Sequence, residues 1–476
     1  MRLTFTGLTQ LMNNMLCTEL AVFLALALAA GCQKPFVIPD PVPGHEKPET
    51  TQPREQPIYP SEGDITVSDV DSFKAALKEA KPGTVILWAD GTYTDVAVKM
   101  QASGEDGAPI ILRAQNPGGV VFKGVSSITL QGSHLVAEGF SFTDLDTSVK
   151  GSVLTFAKGS SNCRISHCKI DGKSSKVSEV DTKWISMYGT HNEISNCTFL
   201  EKKNMGCLLV VWMEDGIVPE HSILNNYFYR PYTHYDDAGK ARNGQESIRI
   251  GTSDFSMSPA KCIVKGNHFY RCNGERAEII SNKSCFNLYE GNLFEEGEGS
   301  LTLRHGNDCV VRGNYFLSGG KTEVGGVRII GERHLVENNY FFNLTGTNYK
   351  SALCVVKGES NAALNGYWTA KDCTVKDNLF VDCLQGFVIN YGVRDTQDSA
   401  PVNLKVSGNT VISSKSYMIA VNVLDGTPSD AVVWENNIIY GGTQKGVKLD
   451  KVSSAPTYED KTRVMQGIRD NAGIKW

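Results

Sequence analysis

One local frame, Asn-x-(Phe/Val/Ile), recurs through the back half of this chain and constrains its fold more than any other feature. It stands at Asn226-Tyr227-Phe228, Asn267-His268-Phe269, Asn292-Leu293-Phe294 and Asn314-Tyr315-Phe316, then at Asn339-Tyr340-Phe341, Asn378-Leu379-Phe380, Asn409-Thr410-Val411 and Asn437-Ile438-Ile439. Upstream, Cys168-Lys169-Ile170 and Cys197-Thr198-Phe199 keep the frame with Cys in first place. Subtracting successive positions gives steps of 29, 29, 41, 25, 22, 25, 39, 31 and 28 residues. A motif returning at such intervals marks a stacked repeat architecture. The shortest steps fit one turn of a parallel β-helix with three short strands, and the longer ones fit turns carrying surface loops. Asn suits such a turn because it tolerates the left-handed backbone and its amide can bond to its copy one turn along. The expectation is an all-β, single-domain, right-handed parallel β-helix with an asparagine ladder.

The chain of 476 residues has a formal net charge of -5, which excludes a general nucleic-acid binder. Leu20 to Gly31 is an apolar run too short to span a bilayer and suited to a signal peptide. The run ends at Cys32, and Leu28-Ala29-Ala30-Gly31-Cys32 resembles a bacterial lipobox, with Ala29 where Leu is usual. Residues 1–32 are therefore expected to be a signal peptide with a lipidated Cys32, residues 33–62 a Pro-rich tether, and residues 63–476 the folded domain. That makes an exported protein, in the periplasm or on the outer membrane of a Gram-negative bacterium, touching membrane only through the lipid. Of 13 cysteines, 11 remain once Cys17 and Cys32 are set aside. Two of these sit in the ladder frame, so stacked interior thiols acting as small hydrophobes are expected.

Val67 to Ala80 reads as a short amphipathic helix with Val70, Phe73, Ala76 and Leu77 on one face, stopped by Lys81-Pro82-Gly83. A helix there caps the open end of a solenoid. Residues 450–476, beyond the last repeat, read as a C-terminal cap or arm. Two insertions, residues 229–245 and 346–370, lengthen the steps ending at Asn267 and Asn378, and on a solenoid such insertions line one binding face.

Chemistry concentrates between residues 243 and 330. Lys283 lies nine residues before Asn292 and His305 nine before Asn314, so the register stacks them on one sheet about 4.8 Å apart. Arg304 is one position off that register, and a bulge is needed to bring it to the same face. A Lys, a His and an Arg together suit β-elimination on a uronic acid chain. Arg neutralises the carboxylate, a lysine can serve as base where charge or burial favours its neutral form, and His exchanges protons near neutrality. Clustered aspartates of the kind glycoside hydrolases use are missing, since Asp254 and Asp308 are isolated. A non-catalytic glycan-binding surface protein is the remaining alternative class.

Four ordered motifs carry a family resemblance: Asn243-Gly-Gln-Glu246-Ser-Ile-Arg249-Ile-Gly251, Glu278-Ile-Ile-Ser-Asn-Lys283-Ser284, Leu303-Arg304-His305-Gly306 and Gly325-Gly-Val-Arg328-Ile-Ile-Gly331. Over about residues 65–445 the chain resembles polysaccharide lyase family 6, the alginate lyases and chondroitinase B–like enzymes. The resemblance implies Lys283 as general base and Arg304 as acid or carboxylate-neutralising group, with His305 adjoining. Arg249, Arg276, Glu278 and Arg328 are the expected substrate contacts. The family often binds calcium through a Glu-x-Glu pair, but Arg276 stands here at the first Glu. No metal or cofactor is therefore expected, and Arg276 is expected to supply the charge calcium supplies elsewhere. Alginate, leaning to polymannuronate, is the expected substrate, chondroitin or dermatan sulfate the runner-up, and a monomer the expected state.

Overall fold

Each repeat folds into one three-sided coil. In the coil around Asn267 the chain runs Ile263–Lys265, turns through Gly266 and Asn267, runs His268–Tyr270, passes a wider corner into Glu278–Lys283, and turns back to Leu288–Glu290. Every third strand stacks in parallel on its predecessor, giving three parallel sheets of 14, 13 and 13 strands. They are called here the back sheet (with Ile263–Lys265), the ladder sheet (with His268–Tyr270) and the cleft sheet (with Glu278–Lys283). This is the expected right-handed parallel β-helix. The computed structural model describes residues 63–476, all within one compact unit. The expected signal peptide, Cys32 and Pro-rich tether lie outside the described residues.

The Asn ladder stands at the corner between the back and ladder sheets. From Asn226 to Asn409, each side-chain oxygen one coil on accepts both the backbone N–H and the side-chain amide of the ladder residue before it, at 2.8–3.1 Å. Cys197 joins by donating its N–H to Asn226. One expectation needs correcting. The ladder Asn is not the left-handed residue; the position just before it is. His167, Asn196, Asn225, Gly266, Gly291, Gly313, Asn338, Asp377, Gly408 and Asn436 all have φ between 51° and 67°. Turning the chain there costs a residue with Cβ about 1 kcal/mol or more, which explains the Gly, Asn and Asp preference. The ladder Asn instead satisfies buried backbone groups at the corner.

The third position of the frame forms the spine of the core. Phe269, Phe294, Phe316 and Phe341 stack on one another with centroids 4.7–4.9 Å apart and planes within 11°. That spacing equals the rise between strands, so one rotamer repeats without strain. Phe228 and Phe380 extend the stack at either end.

A second, mixed ladder escaped the sequence reading. Five residues before the Asn frame, at the corner from cleft sheet to back sheet, Cys163 donates its N–H to Asn192, Asn192 to His221, Cys262 to Asn287, and Cys309 to His334. Burial drives the His221 ring down to about 3 and the His334 ring to about 4, so both stay neutral acceptors. All 11 described cysteines are free and buried, as stacked small hydrophobes should be.

Helix α1 (Val70–Glu79) begins in a capping box between Asp69 and Ser72 and lays Phe73 against Trp88, 6.0 Å between centroids, over the first coil. Helix α2 (Thr462–Asn471) belongs to an arm rather than an end cap. Met465 packs with Leu293, Tyr340, Val381 and Ile412 of the ladder sheet. Arg469 pairs with Glu295 at 2.8 Å, Ile474 donates to Thr198, and the Trp476 ring reaches Gly118. The tail thus runs back along the outside of the ladder sheet toward the N-terminal coils.

Candidate active site

The ladder and back sheets pair in near-perfect register, whereas the cleft sheet does not. Four of its strand pairs carry register shifts. One of them builds the site. Asn282 faces Leu303, but Lys283 faces His305, so Arg304 is the extra residue of a bulge. The bulge supplies the bend the sequence register required, and Arg304 turns outward beside Lys283.

Below this corner the core contains one polar node. The Asn282 amide donates to the carbonyls of Ser284 (2.9 Å) and His305 (2.7 Å), and its oxygen accepts from Asn287 (2.7 Å) and the Tyr289 hydroxyl (2.8 Å). Asn282 is fully buried with all four bonds satisfied, so it clamps the backbone on both sides of Lys283 and His305.

Lys283 is half-buried, and its ammonium makes no ion pair or hydrogen bond among the described residues. His305 is 2% exposed, under the charged pair and not open to solvent. Its ring nitrogens lack a hydrogen bond of good geometry, although the Asn365 carbonyl approaches. Burial, then the charges of Arg304 and Lys283, push its ring down to about 3, so it is a neutral imidazole near pH 7. Arg304 stacks on the Tyr367 ring at 4.2 Å and donates to the carbonyls of Gly366 (2.9 Å) and Asn365 (3.3 Å). Those carbonyls belong to a strap, residues 358–368, whose Leu364 carbonyl also accepts from Ser256. The strap lies along the C-terminal ends of the cleft-sheet strands.

Beside the corner opens a cleft of about 500 Å³. Arg276, Glu278, Arg304 and Arg328, all expected site residues, line it. Lys283, His305 and Arg249 do not; the first two flank it, and Arg249 lies over the Trp212 ring at 5.5 Å. Both long insertions contribute walls, Tyr235 and Lys240 from the first and Tyr349, Lys350 and Tyr367 from the second. Arg394 comes from a loop that sequence reasoning overlooked, although the 31-residue step ending at Asn409 signalled extra chain. A smaller cavity of about 140 Å³ on the N-terminal coils has mostly uncharged lining and no comparable cluster.

Glu278 pairs with Arg328, not with Lys283 or Arg249. Glu246 accepts the Cys207 thiol at 2.7 Å, and Glu323 pairs with Lys350 at 2.7 Å. Arg276 turns outward to Glu298 (2.5 Å) and the Tyr235 hydroxyl (2.7 Å), so it is not lodged among the acids. The cation facing Glu246 and Glu275 from inside is Arg230, fully buried and bonded to the carbonyls of Glu246 and Gly206. Burial and the charges of Glu246 and Glu278 raise the Glu275 carboxyl well above the ordinary range, favouring its protonated form. With Glu278 and Glu246 committed to Arg328 and Cys207, these donors do not fit a calcium site, and no described group of three His, Cys, Asp or Glu is placed to hold a metal.

Lys240, Arg276, Arg304, Arg328, Lys350 and Arg394 all line this cleft. Three of them are paired with glutamates, leaving Lys240, Arg304 and Arg394 without a carboxylate partner among the described residues.

Comparison with known proteins agrees with this fold. The profile of the chondroitinase B family matches residues 67–474. The solved polysaccharide lyase family 6 alginate lyase AlyGC is 30% identical, with a TM-score of 0.74 over 86% of this chain and 56% of its own. A mannuronic acid specific family 6 lyase from human gut microbiota is 26% identical, with a TM-score of 0.73 over 87% of this chain and 96% of its own. Pectate lyase L of Dickeya dadantii (strain 3937) is 27% identical over 54% of this chain. The chain spans about half the length of that curated relative, 53% of it.

Proposed function

The chain belongs to the chondroitinase B family of polysaccharide lyases, and on that premise we propose that it cleaves alginate, with a preference for polymannuronate, by β-elimination. Lys283, acting as its neutral amine, takes the proton from carbon 5 of the uronate at the cleavage point. That electron pair forms the bond between carbons 4 and 5, the bond from carbon 4 to the glycosidic oxygen breaks, and the proton now on Lys283 passes to the leaving oxygen, which restores the amine. Arg304 neutralises the carboxylate, which makes the carbon 5 proton acidic enough to remove. To reach the carboxylate, its guanidinium exchanges the strap carbonyls for carboxylate oxygens. Neutral His305 stays beneath the pair and does not add a third charge.

The observation that carries this reading is the bulge that sets Arg304 beside Lys283 at the mouth of a cation-lined cleft. Base and carboxylate partner on one wall favour removal of a proton on the same side as the leaving oxygen, the arrangement in mannuronate. Activity independent of calcium fits the donors described above. The test follows the ultraviolet absorbance of the unsaturated product on polymannuronate, polyguluronate and dermatan sulfate, with and without EDTA. Polymannuronate leading and EDTA without effect is the expected result. Polyguluronate leading overturns the preference, and loss of activity in EDTA restored by calcium overturns the metal independence. Dermatan sulfate cleavage exceeding both is the second reading, favoured by the free cations Lys240 and Arg394.

A further inference from the structure

The row of outward side chains that ends at the catalytic corner continues toward the N-terminus. Met187 pairs with Val211, Val211 with Ile250, and Ile250 with Asn282. The next residue on each strand is therefore Tyr188, Trp212, Gly251 and Lys283, one per coil. Successive strands lie about 4.8 Å apart, so Trp212 stands about 10 Å and Tyr188 about 14 Å from Lys283 along the solenoid axis. Gly251, between Trp212 and Lys283, leaves the row open. A Cβ there meets the Lys283 carbonyl at 2.6 Å and the Met213 sulfur at 3.1 Å, and the residue is left-handed at φ 84°.

Tyr188 and Trp212 stack, with centroids 5.9 Å apart and planes within 11°. Arg249 sits over the free face of Trp212 at 5.5 Å, and Lys158 over Tyr188 at 5.7 Å. Trp212 is fixed further by its indole N–H, which donates to Ser186 at 3.0 Å. Lys158 is held by Glu214 at 3.0 Å, whereas the Arg249 Nε is buried without a hydrogen-bond partner among the described residues. The result is a column of two half-buried rings, aligned with the reacting lysine, with half-buried Arg249 at one end and exposed Lys158 at the other. An amphipathic, ring-walled surface beside an unpaired guanidinium suits a sugar bearing a carboxylate.

We propose that Tyr188, Trp212 and Arg249 form a binding subsite for a uronate unit two to three sugars from the cleaved bond, so that the glycan lies parallel to the solenoid axis. The ring edges pack against the sugar, and Arg249 takes its carboxylate. This rests on the lyase reading above. It predicts that chains long enough to reach the column bind better than short ones.

The test compares kcat/KM for a mannuronate octasaccharide and trisaccharide in the unaltered enzyme, Trp212→Ala, Tyr188→Ala and Trp212→Phe. The ratio of long to short is expected to fall about tenfold in the two alanine variants and to be largely kept in Trp212→Phe. An unchanged ratio in Trp212→Ala overturns the subsite, as does an equal loss on both lengths. If the unaltered enzyme cleaves no uronate chain, the lyase reading fails by itself. Retardation in an alginate-containing gel then decides the subsite: its loss in Trp212→Ala supports the proposal, and unchanged retardation overturns it.

Discussion

The corner with the Asn ladder and the far end of the cleft sheet are built from the same coils, yet they obey opposite rules. At the ladder each coil from Asn226 onward repeats a left-handed position, the same amide and, over most of its length, the same stacked ring. At the cleft sheet the strands lengthen from three residues to six or seven and slip in register. Regularity lets each coil satisfy its neighbour's backbone groups, which is a stability device. Irregularity puts a charged residue where the pleat would hide it, which is a catalytic device. The difference teaches that a solenoid can lose register on one face because the other two hold it.

The largest effect expected from breaking this comparison is at the irregular face. Lys283→Ala should lower turnover by at least about 10³-fold while the melting temperature stays unchanged, read by product absorbance and calorimetry. Asn282→Ala removes the node that joins the two regimes. It should lower turnover about 10- to 100-fold and also destabilise the fold, because the Ser284 and His305 carbonyls and the Asn287 amide lose partners. Turnover unchanged in that variant breaks the link between core and corner.

On the regular side, Asn292→Ala should cost about 2–4 kcal/mol in urea unfolding, since the Asn267 N–H and amide lose their acceptor, with little change in activity per folded molecule. The mixed ladder sharpens the contrast through pH. His221 and His334 are held neutral, their folded values lying at about 3 and 4, below the ordinary 6.5. Below about pH 6.5 the unfolded chain takes up protons that the folded chain refuses, so stability falls as the pH drops toward about 4. His334→Asn should flatten that decline by a few degrees in melting temperature, because Asn already fills the equivalent positions 192 and 287. The smallest effect belongs to Gly291. Its φ is 61° with open space around a Cβ, so Gly291→Asn should change stability by less than about 1 kcal/mol, as Asn225 and Asn338 suggest. A larger loss, measured in urea, breaks the rule for that corner.

Much of the molecule was legible in advance. The repeat located the ladder, the amphipathic pattern of Val70, Phe73, Ala76 and Leu77 located the capping helix, and nine-residue offsets from Asn292 and Asn314 placed Lys283 opposite His305. Counting from the same anchors would also have found the second ladder, but its residues alternate among Cys, Asn and His, so no single letter recurs. What stayed illegible was pairing. Arg276 looked like the charge among the acids, and the fold sends it to Glu298 and Tyr235 while Arg230, from a different coil, takes the interior place.

The sequence alone therefore determined the solenoid, because a backbone that must satisfy its own buried groups turn after turn imposes a recurring letter at a recurring step. Only the tertiary structure decided which charges meet, that Arg304 faces outward, and that His305 is neutral beneath the strap. Those outcomes depend on loops and bulges contributed by residues far apart in the chain, whose side-chain distances no local pattern encodes.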